Sequence, residues 1–138
     1  MFKDASDSTL KQIDQVFQQS NGVTTDTRAL APGKLFFALK GERFDGNTFA
    51  LQALDAGCLM AVVDDPVIAK QSPNCIWVDN VLVTLQSLAR LHRSRWNFPV
   101  IGLTGSNGKT TTKELLHAVL KTRYPKTFAT FGNLNNHI

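Results

Sequence analysis

Leu10, Ile13 and Phe17 recur three and four residues apart, the period of one buried helix face, over about residues 8–19. Asp7 or Ser8 can cap this helix, and Gly22 lies just past its end. The pattern then changes. Residues 23–26 read as a short extended segment and Ala31-Pro32-Gly33 as a turn, while the unbroken apolar run of residues 34–39 reads as a strand buried on both faces. A loop bracketed by Gly41 and Gly46 follows, and Asn47 or Thr48 is placed to cap a helix ending at Gly57. Residues 59–63 and 75–78 predict two more strands, separated by the break at Asp65-Pro66. A helix over about residues 84–96 carries Leu85, Leu88 and Leu91 on one face. Helices alternating with buried strands predict an α/β fold with parallel pairing.

Asn97-Phe98-Pro99 interrupts the pattern and separates a first domain, residues 1–98, from a second portion, residues 99–138. In that portion residues 100–104 predict a strand, residues 105–108 a glycine loop, and residues 109–122 a helix with Leu115, Leu116, Val119 and Leu120 as its apolar stripe. Residues 127–131 predict a further strand. A β-α-β unit of about 40 residues buries too little surface to stand alone, so this portion is expected to open a larger domain.

Composition narrows the classes. The 138 residues are 43% hydrophobic and 19% charged, enough apolar material for a core and too much for a disordered tail. No run approaches the ~20 apolar residues that span a bilayer, and the acid-bearing start is not a secretion signal, so no membrane partner is expected. Cys58 and Cys75 sit in apolar stretches and read as buried free thiols of a reduced compartment, with a disulfide as the alternative. The net charge of +4 is uneven: Arg90, Arg93, Arg95, Lys109, Lys113, Lys121, Arg123 and Lys126 face Glu114 alone over residues 90–126. That bias suits an anionic ligand, or is a solvated basic helix face. Aromatic residues do not interleave with these charges, so nucleic acid is not expected as a partner.

The strongest chemical signal is Thr104-Gly-Ser-Asn-Gly-Lys-Thr-Thr111, between an expected strand and an expected helix. The first turn of a helix leaves amides unpaired, and the helix dipole adds positive charge there. Gly105 and Gly108 let the backbone of Ser106 and Asn107 approach an oxyanion closely. Lys109 can reach the β- and γ-phosphates of a nucleoside triphosphate, and the Thr110 hydroxyl can hold the Mg2+ ion that bridges them, with Thr111 beside it. Lys109 and Thr110 are therefore the candidate catalytic residues. The spacing departs from Gly-x4-Gly-Lys-Thr: Leu103 stands where a glycine is required, and Gly102 is one residue too far.

This loop, with its offset glycine, resembles the ATP loop of the Mur ligases, which add amino acids to the peptidoglycan precursor. Thr25-Asp26-Thr27-Arg28 resembles the Asp-Ser/Thr-Arg signature of the N-terminal domain in the MurE and MurF types. Leu35-Phe-Phe-Ala-Leu-Lys-Gly41, with Asp45-Gly46 and Phe49, resembles the strand and loop that follow it. Gly132-Asn-Leu-Asn-Asn-His-Ile138 resembles the MurF-type segment. The resemblance implies a small N-terminal α/β domain that binds the UDP precursor, then the opening of a P-loop-type ATP-binding domain. It implies ATP and Mg2+ as cofactors, and UDP-N-acetylmuramoyl-tripeptide and D-alanyl-D-alanine as partners, in a monomeric cytoplasmic enzyme. The reaction implied is amide formation through an acyl phosphate, which this portion alone is not expected to turn over. Other ligases of the superfamily (the MurE type, folylpolyglutamate synthetase) or a non-enzymatic nucleotide-binding module are the alternatives.

By the same resemblance the uridine end of the substrate lies near Thr25, Thr27, Glu42, Arg43 and Phe44. Thr27 offers a hydroxyl, Arg43 can pair with a diphosphate and Phe44 can stack. Each has a structural alternative: Asp26 and Arg28 pair at a turn, Asp45-Gly46 is only a turn, and Arg43 is a solvated charge. Asn133, Asn135 and Asn136 form a polar stretch whose amides could meet the γ-phosphate or the substrate. His92, His117, Trp77 and Trp96 read as surface or packing residues, and His137 lies in the asparagine stretch. Cys and His have no metal-ligand spacing.

Overall fold

A computed structural model describes residues 7–42 and 44–132. The chain forms two compact units, divided between Trp96 and Asn97.

The first unit is a three-layer α/β/α arrangement. Helix α1 spans Asp7–Gln18. Strands β1 (Val23–Thr24), β2 (Leu35–Phe37), β5 (Met60–Val63) and β6 (Cys75–Trp77) form one sheet in that order, and every pair is parallel. Between β2 and β5 lie a small antiparallel hairpin, β3 (Lys40–Gly41) and β4 (Phe44–Asp45), a 3-10 turn over Gly46–Phe49, and helix α2 (Ala50–Asp55). The short helix α3 (Pro66–Ala69) joins β5 to β6, and α4 spans Val81–Ser94.

Alternation along the strands sorts the side chains into two cores. Leu35, Phe37, Met60 and Val62 pack with Ile13 of α1 and with Val81, Leu85 and Leu88 of α4. Phe36, Ala38, Ala61, Val63 and Cys75 face the other way, onto Ala50 and Ala53 of α2, with Ile68 and Ala69 of α3 beside them. Phe36 and Phe37 are both fully buried, which is why residues 34–39 show no polar alternation. Asp14 of α1 is buried and takes hydrogen bonds from Arg95, just past α4, and from Gln18 at 3.0 Å. This pins the two helices together on their polar side. Cys58 and Cys75 are free buried thiols, and burial pushes both above the usual thiol range.

Three local expectations change. The helix after the hairpin is capped by neither Asn47 nor Thr48. Asp45 is the extended residue ahead of the 3-10 turn, and its carboxylate accepts the Asn47 amide at 2.9 Å. The Asn47 side chain is drawn instead toward β5. Helix α4 starts at Val81 rather than near residue 84, because Asn80 caps it by accepting the Val83 amide at 2.9 Å. In the second unit α5 spans Lys109–Arg123, but residues 100–104 and 127–131 form no strand among the described residues. An extended segment becomes a strand only through a ladder partner, and neither segment has one here. Val100 and Ile101 are accordingly 65% and 58% exposed. Of the expected β-α-β unit, the helix is formed.

Candidate functional site

Parallel strands gather their C-terminal ends on one edge of a sheet, and the loops leaving that edge are the usual ligand-binding places of α/β folds. In the first unit the loops leaving the neighbouring strands β1 and β2 carry the expected substrate residues. Thr25 and Thr27 follow β1, both half-buried, and Thr27 opens a 3-10 turn. Asp26 caps that turn by accepting the Arg28 amide at 2.9 Å. The same carboxylate takes the Arg28 guanidinium in a two-pronged contact at 3.0 and 2.8 Å. These bonds from Arg28 hold the Asp26 carboxyl down at about 2. The structural reading of Asp26 and Arg28 is therefore realised, which leaves the threonine hydroxyls as the residues of this turn with ligand chemistry.

Glu42 is exposed at the tip of the β3–β4 hairpin. Phe44 is 44% exposed and stacks one face on Phe49, the rings 5.5 Å apart and 15° from parallel. Arg43 and the asparagines Asn133, Asn135 and Asn136, together with His137, lie outside the described residues.

What holds the hairpin was not visible in the sequence. Asn47 is 2% exposed and uses all four hydrogen-bonding positions of its amide. It donates to Asp45 at 2.7 Å and to Asp64, after β5, at 2.9 Å. It accepts from the amides of Asp64 and Asp65 at 3.1 and 3.3 Å. Lys40 joins the cluster through Asp64 at 2.9 Å, a hydrogen bond that raises the lysine above its usual range. Gly46 completes the stem. A Cβ there would sit 2.6 Å from the Leu39 carbonyl oxygen, so the main chain passes too closely for any side chain.

In the second unit, residues 104–108 are exposed and lead into α5. Gly105 (φ 146°) and Gly108 (φ 76°) have backbone angles that side chains disfavour, which is the reason for glycine at these two places. Gly108 is the residue preceding α5, and no side chain caps the helix. Among the described residues the amides of Ser106, Asn107 and Gly108 donate to no carbonyl. The loop is thus exposed at the positive end of a 15-residue helix, with no acidic residue in the helix's first turn. The Lys109 ammonium bonds the Gly105 carbonyl, which keeps it over the loop. Thr110 and Thr111 are exposed on the first turn. The donor chemistry fits a triphosphate with Mg2+: amides and an ammonium for phosphate oxygens, and the hydroxyl of Thr110 as a hard oxygen ligand. Among the described residues no group of three His, Cys, Asp or Glu gathers to hold a metal by itself.

Two residues read as surface or helix-face positions belong to this unit's framework. Lys113 donates to the carbonyls of Thr130 at 2.6 Å and Gly132 at 3.3 Å. His117 Nε2 lies 3.2 Å from the Thr127 carbonyl. Their spacing with Lys109, four residues each, was the available signal.

Two family models match the chain in succession. Residues 19–93 match the Mur ligase family, catalytic domain, and residues 103–138 match the Mur ligase middle domain. The UDP-N-acetylmuramoyl-tripeptide–D-alanyl-D-alanine ligase of Bacillus subtilis is 50% identical over 120 residues, covering 86% of this chain and 26% of the relative. The ligase of the same name from Synechocystis is 46% identical over 119 residues, with 86% and 26% covered. Among solved structures, MurF ligase from Thermotoga maritima in complex with ADP superposes with a TM-score of 0.72 at 34% identity, over 87% of this chain and 27% of that one. The chain therefore spans about a quarter of the length of these relatives. With one family model covering residues 19–93, more than half of the 138, and a second following in order, the chain belongs to the Mur ligase family.

Proposed function

We propose that this chain forms the first domain and the start of the ATP-binding domain of a ligase that adds D-alanyl-D-alanine to UDP-N-acetylmuramoyl-tripeptide. The division is read as residues 1–98 and 99–138. The observation that carries the reading is the open loop of residues 105–108 ahead of α5, with Lys109 over it, in a chain of this family. Residues 105–111 grip the triphosphate, and Thr110 would hold the Mg2+ ion, which would neutralise charge on it. Lys109 leaves the Gly105 carbonyl for the β- and γ-phosphates, where its charge offsets that developing in transfer. The tripeptide's terminal carboxylate oxygen bonds to the γ-phosphorus as the bond to ADP breaks, giving an acyl phosphate and ADP. The D-alanyl-D-alanine amine then bonds to the acyl carbon, phosphate leaves and the nitrogen loses a proton.

The uridine end of the substrate is assigned to Thr25, Thr27, Glu42, Arg43 and the open face of Phe44. The asparagines Asn133, Asn135 and Asn136 are assigned to the phosphate or substrate side of the ATP domain. The ligase is read as a cytoplasmic monomer with no nucleic-acid or membrane partner. Among the described residues no helix is long and apolar enough to cross a membrane. The test is a Lys109→Ala exchange in the full-length ligase. Turnover of ATP, UDP-tripeptide and D-alanyl-D-alanine is expected to fall about 100-fold or more. Unchanged turnover and unchanged nucleotide affinity would defeat the loop assignment, and turnover with diaminopimelate or glutamate in place of D-alanyl-D-alanine would defeat the substrate assignment.

A further inference from the structure

The second unit contains a feature that neither the loop nor the family assignment explains. Lys109, Lys113 and His117 stand four residues apart on α5, so they share one face of the helix. Each holds a main-chain carbonyl. Lys109 holds Gly105, Lys113 holds Thr130 and Gly132, and His117 holds Thr127. A carbonyl only accepts, so His117 Nε2 carries the proton in this contact. The order of the contacts is informative. Thr127 lies beside residue 117 and Gly132 beside residue 113, so the segment runs antiparallel to α5, back toward the phosphate loop. Apolar packing does not hold it: Phe128 and Phe131 are 86% and 97% exposed. The Lys113 side chain is only 17% exposed and makes a third contact, with Glu114 at 3.1 Å. An ammonium so withdrawn from water is stabilised by all its acceptors together.

We infer that Lys113 and His117 are positioning residues that hold residues 127–132 on α5, which ties Gly132 to Lys113, the residue one helical turn after Lys109. Gly132 is the residue from which the chain continues into Asn133, Asn135 and Asn136. The inference rests on the assignment of residues 105–111 to ATP. It adds that the helix gripping the nucleotide also sets the position of residues 127–132. Lys113 touches the segment and not the loop, so its loss frees residues 127–132 while leaving the nucleotide grip intact.

The test uses the full-length ligase with three variants and two independent readouts. Lys113→Met is nearly the same length and has no charge. It is expected to lower kcat about tenfold or more while the KM for ATP stays within about threefold. Lys113→Arg, which retains donors and charge, is expected to recover most of kcat. Backbone amide relaxation is expected to show residues 128–132 more mobile in Lys113→Met and in His117→Ala. Parental kcat in Lys113→Met overturns the inference, whether or not the segment loosens. Equal losses in the Met and Arg variants, with a lowered Tm in both, overturn it in favour of a purely structural lysine. Lys109→Ala keeps the two questions apart. If that variant binds and turns over ATP normally, the loop assignment fails, and the relaxation data then judge the clasp alone.

Discussion

Replacing Asn47 by alanine isolates what holds the β3–β4 hairpin. The exchange removes four side-chain hydrogen bonds at a site that is 2% exposed. The two carboxylates are not stranded. Asp64 keeps Lys40 at 2.9 Å, and Asp45 keeps the residue 47 amide at 2.9 Å. The amides of Asp64 and Asp65 lose their acceptor, and a buried donor without one costs about 1–3 kcal/mol. Both residues are half-buried, so water recovers part of that loss, and a net cost of about 2–3 kcal/mol results. The assay is urea unfolding followed by indole fluorescence. Trp77 and Trp96 both lie in the first unit, so the signal reports that unit alone. With a slope of about 1 kcal/mol per molar, the midpoint should fall by about 2–3 M at unchanged slope. Asn47→Asp adds a pH test. A carboxyl pressed against Asp45 and Asp64 has its folded pKa raised, so its neutral form is the tolerated one. The loss should be small at pH 4 and grow as pH rises toward 7. A cost under about 0.5 kcal/mol for Asn47→Ala, or an Asn47→Asp loss independent of pH, would refute the reasoning.

Asp26 should titrate by NMR near pH 2, and Arg28→Met should raise it toward the ordinary carboxylate range but not into it, because the residue 28 amide still donates to the carboxylate. Because the folded value is depressed, the stability from this pair is present above about pH 4 and fades as pH falls toward 2. Arg95→Met leaves Asp14 buried with Gln18 as its remaining partner and should lower the midpoint in the same urea assay. Cys58 and Cys75 should resist a disulfide reagent in the native chain at neutral pH and both react in denaturant, since burial raises both thiols.

How much could be read from the chain alone depended on how far apart the interacting residues lie. Helix α1 and strands β2 and β5 were legible because an apolar period or an unbroken apolar run is a local property. The exposed glycine loop ahead of α5 was legible for the same reason: its glycines and the lysine and threonines after it are contiguous. The start of α4 was misplaced because the apolar run Val81-Leu-Val83 has no helical period of its own, and the cap shows only where Asn80 accepts the Val83 amide. Asn47 reads as an ordinary cap, since its decisive partner, Asp64, is 17 residues away. Lys113 and His117 face carbonyls 10 to 19 residues ahead, and any residue can supply a carbonyl, so side-chain identity carries no trace of the pairing. Residues 100–104 have strand composition, but a ladder belongs to two segments and composition to one.

The close passage of main chain at Gly46 has a practical corollary. The β3–β4 hairpin can be redesigned only at its tip. Around Glu42, diversity costs little, because that side chain projects into solvent. At residue 46 even a methyl group would meet the Leu39 carbonyl oxygen 2.6 Å away and force the two backbone segments apart. A library aimed at altering specificity through this loop should hold position 46 constant and spend its variation on the exposed turn.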